Sequence, residues 1–143
     1  LSLITCKERC PVEYDIAVPE TDCIVNTKTA VICSDLNGVQ ADIGILKPDD
    51  YFSDLAPLIK DFDGEKYLCL PAYLRGDDIE KLKPVLKLFD GVYCEGYYGI
   101  VLAREQHMPF FAGVGYNVSN KFAARYLSAC ANYFCISKEL SLR

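Results

Sequence analysis

Phe110-Phe-Ala-Gly-Val-Gly-Tyr-Asn-Val-Ser-Asn120 runs from a short apolar strand through two glycines into polar side chains, and the amphipathic run Lys121–Ala131 follows it. Phe110, Phe111 and Ala112 suit a strand buried on both faces, as strands of a parallel sheet are. Gly113 and Gly115 allow a sharp turn or a close backbone approach. Asn117, Ser119 and Asn120 follow, and the last two are good N-cap types for the helix that comes next. A polar loop between the carboxyl end of a strand and the amino end of a helix is where α/β proteins keep their chemistry.

The same unit recurs on the amino-terminal side. Ile43-Gly-Ile-Leu46 predicts a strand, and Pro48-Asp-Asp50 predicts the start of a helix running to about Asp61, with Leu55, Leu58, Ile59 and Phe62 on one face. Tyr67–Leu70 predicts the next strand. Gly76-Asp-Asp78 opens a second helix, with Ile79, Leu82, Val85, Leu86 and Phe89 at helical spacing and Pro84 turned to solvent or kinking it. Strand Val92–Cys94, helix Ile100–Gln106 and, after helix 120–131, strand Tyr133–Ile136 complete the series. Strands alternating with helices imply a parallel sheet with right-handed crossover connections, here half of a TIM-like (β/α)8 barrel. No glycine-rich phosphate fingerprint of the Rossmann or P-loop kind is present.

Residues 1–42 read differently. Val12–Val18 alternates, Cys23–Asn26 and Thr29–Cys33 are brief apolar runs, and Asp35-Leu-Asn-Gly38 has turn composition. This segment is expected to form β-hairpins, the tail of a preceding module, with the partial barrel occupying residues 43–143. Leu rather than Met at position 1, and an apolar run close to the other end, lead to the expectation of a piece of a longer chain.

With 143 residues the chain has the size of one domain, and 51% hydrophobic residues with 7 Phe and 10 Tyr are enough for a packed core. A net charge of −5 and no run of Lys or Arg argue against a general electrostatic grip on nucleic acid. No window is long and apolar enough for a membrane span and no basic-then-apolar leader pattern opens the chain, so a soluble, cytoplasmic protein without a membrane partner is expected. The 8 cysteines contain no Cys-x-x-Cys pair. Cys69, Cys94 and Cys135 fall in apolar runs, where a thiol acts as a small hydrophobe, and Cys6-x-x-x-Cys10 is a weak metal signal by itself. The only histidine, His107, precedes a strand and so belongs at the end opposite any catalytic rim, which leaves a Ser-His-Asp or Cys-His arrangement without its base.

If the sheet is parallel, one rim collects Lys47 and Asp49; Tyr73 and Arg75; Glu95, Tyr97 and Tyr98; Tyr116, Asn117 and Asn120; Ser137 and Glu139. Two carboxylates, a guanidinium, amides and phenols can position and polarise a polar substrate. A structural pairing of Arg75 with Glu95 or Glu139 is the plainer use of the same residues.

Leu70-Pro-Ala-Tyr-Leu-Arg75, Leu82-Lys-Pro84, Phe89-Asp-Gly-Val92, Asn117-Val-Ser-Asn120 and Ser137-Lys-Glu-Leu140, in that order, give residues 43–143 a resemblance to the collagenase-like peptidases, peptidase family U number thirty-two. The resemblance implies a TIM-like barrel in a cytoplasmic protein and one of two chemistries. The first is peptide-bond hydrolysis of unknown catalytic type; the second is iron–sulfur-dependent hydroxylation of RNA bases or a quinone. The family's Asn-x-x-Asn falls on Asn117 and Asn120, and its Ser-Pro-Glu-Leu on Ser137–Leu140, with Lys138 in place of the proline. Gly113-Val-Gly115 replaces Asp-Tyr-Ser, and Tyr97-Tyr-Gly99 replaces Asn-Leu-Gly. Resemblance and strand-end placement together suggest Glu139, Glu95 and Arg75 as catalytic, Tyr116, Asn117, Asn120 and Ser137 as substrate-binding, and no metal ligand. No cofactor is expected in this segment, since the family's cluster-binding cysteines follow Ser-Pro-Glu-Leu; the longer protein would hold the iron–sulfur cluster. Its partners would be a peptide or RNA substrate and the remainder of the chain. By itself the segment is expected to be inactive and to pair with a second copy through open sheet edges, and a scaffold or partner-binding half barrel without chemistry is the third reading.

Overall fold

A computed structural model of the protein describes residues 27–139. Six strands form one sheet in the order β1 (Ala30–Cys33), β2 (Ile43–Leu46), β3 (Glu65–Cys69), β4 (Gly91–Cys94), β5 (Phe110–Ala112) and β6 (Tyr133–Phe134). Every neighbouring pair is parallel. Helices α1 (Gly76–Leu86), α2 (Tyr98–Glu105) and α3 (Lys121–Ser128) make the last three crossovers. In a flat sheet, five spacings of about 4.8 Å would hold β1 and β6 some ~24 Å apart. Yet Lys28, just before β1, places its Nζ 3.1 Å from the Tyr133 hydroxyl on β6. Two side chains span that gap only if the sheet is strongly curled, so the fold is the expected α/β half barrel.

Strand alternation divides the packing into two cores. Leu46, Leu68, Val92, Cys94, Phe110 and Ala112 point outward into the layer covered by Leu82 and Leu86 of α1, Leu102 of α2 and Leu127 of α3. Ile43, Ile45, Tyr67, Cys69 and Tyr93 point inward, with Phe111, Tyr133 and Cys135 packed beside them. The outer core supplies most of the burial. Leu68, Val92 and Phe110 are each at or below 1% exposure, and each such side chain stabilises the fold by about 1.5–3 kcal/mol.

The structure departs from the sequence expectations at two places. No helix forms over 48–61. The Asp50 and Asp54 carboxylates instead accept from the Phe52 and Ala56 N–H groups, and a single 3₁₀ turn, Ala56–Leu58, contains Pro57. Pro57 would stand inside the predicted helix without an N–H and would exclude its predecessor from helical geometry. Leu55, Ile59 and Phe62 are buried all the same, so the apolar face survives without the helix.

The second departure is β1. Ala30–Cys33, read with the hairpins, pairs parallel to β2 with Ala30 opposite Ile43 and Cys33 opposite Leu46, and the sheet therefore begins before Ile43. The turn at Asp35–Gly38 is real, with Gly38 at φ 72 and the Asp35 carboxylate accepting from the Asn37 N–H. It does not reverse the chain into a hairpin; it drops Leu36, fully buried, into the outer core. The other two hairpin segments, Val12–Val18 and Cys23–Asn26, lie outside the described residues, as does the Cys6/Cys10 pair.

Candidate functional site

Because all six strands run the same way, their carboxyl ends form one mouth. Inward parity then decides which groups face it. Continuing each strand by its own alternation puts Lys47 after Ile45, Cys69 after Tyr67, Glu95 after Tyr93, Gly113 after Phe111 and Cys135 after Tyr133. A pocket of about 130 Å³ opens beside three of them, Lys47, Cys69 and Glu95, with Tyr51, Leu70, Pro71 and Ala72 completing its lining.

Glu95 is the one predicted catalytic residue placed in that lining. Its Oε1 accepts a hydrogen bond of 3.2 Å from the Tyr93 hydroxyl. The glycines of the opening motif explain how β5 comes so close. A Cβ on Gly113 would stand 2.6 Å from the Tyr93 hydroxyl oxygen and 2.7 Å from Glu95 Cγ. One on Gly115 would stand 2.6 Å from the Glu95 carbonyl oxygen. Gly113 has an ordinary extended backbone, φ −76, so what it supplies is space for the Tyr93–Glu95 pair.

The thiols are held neutral. Burial pushes Cys69 up to about 11, and Glu95 and Cys94 nearby add to that while the Lys47 ammonium opposes it. Burial likewise raises Cys135, against the neighbouring Tyr93 hydroxyl, with Glu95 contributing. Burial, then Cys135 and Glu95, keeps the Tyr93 phenol protonated well above its usual range. Beside the Glu95 and Lys47 side chains the mouth therefore offers a phenol donor and two S–H groups, and neither cysteine has the thiolate character of a nucleophile.

The other predicted residues sit on the rim loops with other partners. Tyr116 is buried among the outer-core residues, and its hydroxyl donates to the Gly96 carbonyl at 2.6 Å. Asn120 caps α3, its Oδ1 accepting from the Phe122 and Ala123 N–H groups at 3.0 and 2.9 Å. Asn117 is exposed and ends a 3₁₀ turn in the left-handed region at φ 48. Ser137 is buried, and its Oγ accepts from the Glu139 N–H at 3.3 Å. The Glu139 and Arg75 side chains are exposed, and among the described residues no ion pair joins either to Glu95. Tyr98 turns its hydroxyl to the Pro71 carbonyl and so ties the β4 loop to the pocket wall. His107 is exposed before β5, at the end away from the mouth.

Sequence reasoning passed over Tyr93 and took Cys69 and Cys135 only as packing. Counting back two residues from each rim group would have found Tyr93, because inward positions repeat every second residue.

No family model, curated protein or solved structure matches this chain. No helix among the described residues is long and apolar enough to cross a membrane. No group of three or more His, Cys, Asp or Glu side chains among them is arranged to hold a metal ion. A wider groove of about 340 Å³ lies at the amino ends of β2 and β3, lined by Gly38–Ala41 and Asp61–Gly64. Asp61 and Asp63 are its only ionisable side chains, and no side chain of opposite charge is among its lining residues.

Proposed function

We propose that this chain is a partial barrel of the collagenase-like peptidase kind and that its carboxyl-end mouth contributes to peptide-bond hydrolysis, with Glu95 as the proton-accepting group. One observation carries the reading. The Glu95 carboxylate stands at the pocket with the Tyr93 hydroxyl 3.2 Å from its Oε1. A carboxylate held this way can take a proton from an attacking water, while the Lys47 ammonium across the same pocket can stabilise charge building on a carbonyl oxygen. The resemblance of residues 43–143 to that family supplies the reaction class. In this reading, strands of the longer protein cover the edges β1 and β6 and bring the remaining groups of the site.

The test uses the longer protein with fluorogenic gelatin-derived peptides as substrate. Glu95→Gln is expected to lower kcat by about 10²-fold or more while leaving the thermal midpoint in place, because the side chain is exposed. Unchanged turnover would remove Glu95 from the reaction. Tyr93→Phe should lower kcat less, since it deletes one hydrogen bond to the carboxylate and leaves the carboxylate itself in place.

A further inference from the structure

We propose that the pocket between the ends of β2 and β4 is a recognition site for the α-ammonium end of an amino acid or peptide, with the ammonium on Glu95 and the carbonyl or carboxylate oxygen on Lys47. The inference uses the same pocket as the peptidase reading but does not depend on hydrolysis taking place, and it describes the pocket with a ligand's ammonium, not an attacking water, on Glu95. Lys47 and Glu95 line one cavity from two strands separated by β3, and among the described residues no ion pair joins them. Opposite charges that face a common space without meeting suit a ligand carrying the complementary groups on atoms three bonds apart.

Size narrows the class. The pocket volume is about 130 Å³, and an apolar cavity of about 150 Å³ admits benzene with its six heavy atoms. Glycine and alanine have about that number, so the ammonium, Cα and carboxyl group fit within it. The rest of the lining is Tyr51, Cys69, Leu70, Pro71 and Ala72, mostly apolar, which favours a small apolar side chain over a polar one. The neutral Cys69 S–H adds a weak donor to the lining.

Titration of the full isotope-labelled chain, followed by amide shifts in a proton–nitrogen correlation spectrum, tests this with four probes: L-alanine, L-alanyl-L-alanine, L-alaninamide and N-acetyl-L-alanine. Saturable shifts centred on Lys47, Tyr51, Cys69, Ala72 and Glu95 are expected for the first three, in the millimolar range. N-acetyl-L-alanine, which lacks the ammonium, should bind about tenfold or more weakly, and Glu95→Gln should remove the difference. Lys47→Met separates the two sources of the ligand. It weakens L-alanine more than L-alaninamide if the free amino acid is held by its carboxylate, and both alike if the site takes a peptide's amino terminus. Equal shifts from L-alanine and N-acetyl-L-alanine, or no saturation with any probe while the spectrum stays that of a folded chain, would overturn the proposal. Peptide cleavage without such binding sinks this inference alone, and binding without cleavage sinks hydrolysis alone.

Discussion

Gly113 and Gly115 lack side chains where Tyr93 and Glu95 occupy the space a Cβ would need, so the glycine pair at the end of β5 and the acidic group at the end of β4 are parts of one device. Gly113→Ala should destabilise the protein by about 1–3 kcal/mol, the usual cost of overpacking. In a Tyr93→Phe background that cost should fall, because the closest atom, the hydroxyl oxygen at 2.6 Å, is gone; chemical denaturation of the four proteins in the cycle measures the coupling. Asn120 shows how a polar residue in a site-like loop can be occupied elsewhere. Its amide oxygen accepts two helix N–H groups. Asn120→Ala should cost about 1 kcal/mol of unfolding free energy while Asn120→Asp keeps most of it, since only the oxygen is used in the cap.

At the scale of elements, parity along each strand sets what the barrel interior contains. Phe111 stands at the centre of an aromatic layer, its ring centroid 6.1 Å from Tyr67, 5.4 Å from Tyr93 and 5.4 Å from Tyr133. Phe111→Ala should therefore cost about 3–4 kcal/mol by denaturant melt, from lost burial and the cavity left behind. Pro84 has the opposite standing. It lies in the last turns of α1, exposed, where it offers no N–H to the helix. Pro84→Ala is expected to stabilise the protein by about 1 kcal/mol, seen as a raised thermal midpoint. Pro57, by contrast, sits where the chain makes a single 3₁₀ turn, which is why an apolar spacing that looks helical belongs to an irregular crossover.

At the scale of the whole molecule, the buried acids of the two cores govern the response to alkali. Cys69 is raised from 9.0 to about 11 and Tyr51 from 10.0 to about 12, in both cases chiefly by burial. The unfolded chain releases these protons at lower pH than the folded one. The contribution is therefore complete below about pH 9 and is lost as pH rises through about 11 for Cys69 and about 12 for Tyr51. Urea midpoints taken from pH 8 upward should fall across that window. Cys69→Ala should flatten the earlier part of the fall, by an amount on the order of 2 kcal/mol.

Much of the fold was present in the residue pattern itself. Runs such as Val92–Cys94 and Phe110–Ala112 separated by amphipathic helices leave a parallel sheet as the economical arrangement, and burial on both faces makes such runs legible one at a time. Glu95 at the end of β4 follows from the same reasoning. The pairing of β1 with β2 was not visible there, because Leu36, not a helix, covers that crossover, and a lone leucine in a turn has no periodicity to detect. Nor was the grouping of Glu95, Cys69 and Lys47 around one pocket, with Tyr93 behind Glu95. Those residues come from three strands, and only the curl of the sheet, fixed by long-range packing, decides which inward positions share a space and how near β5 must approach them.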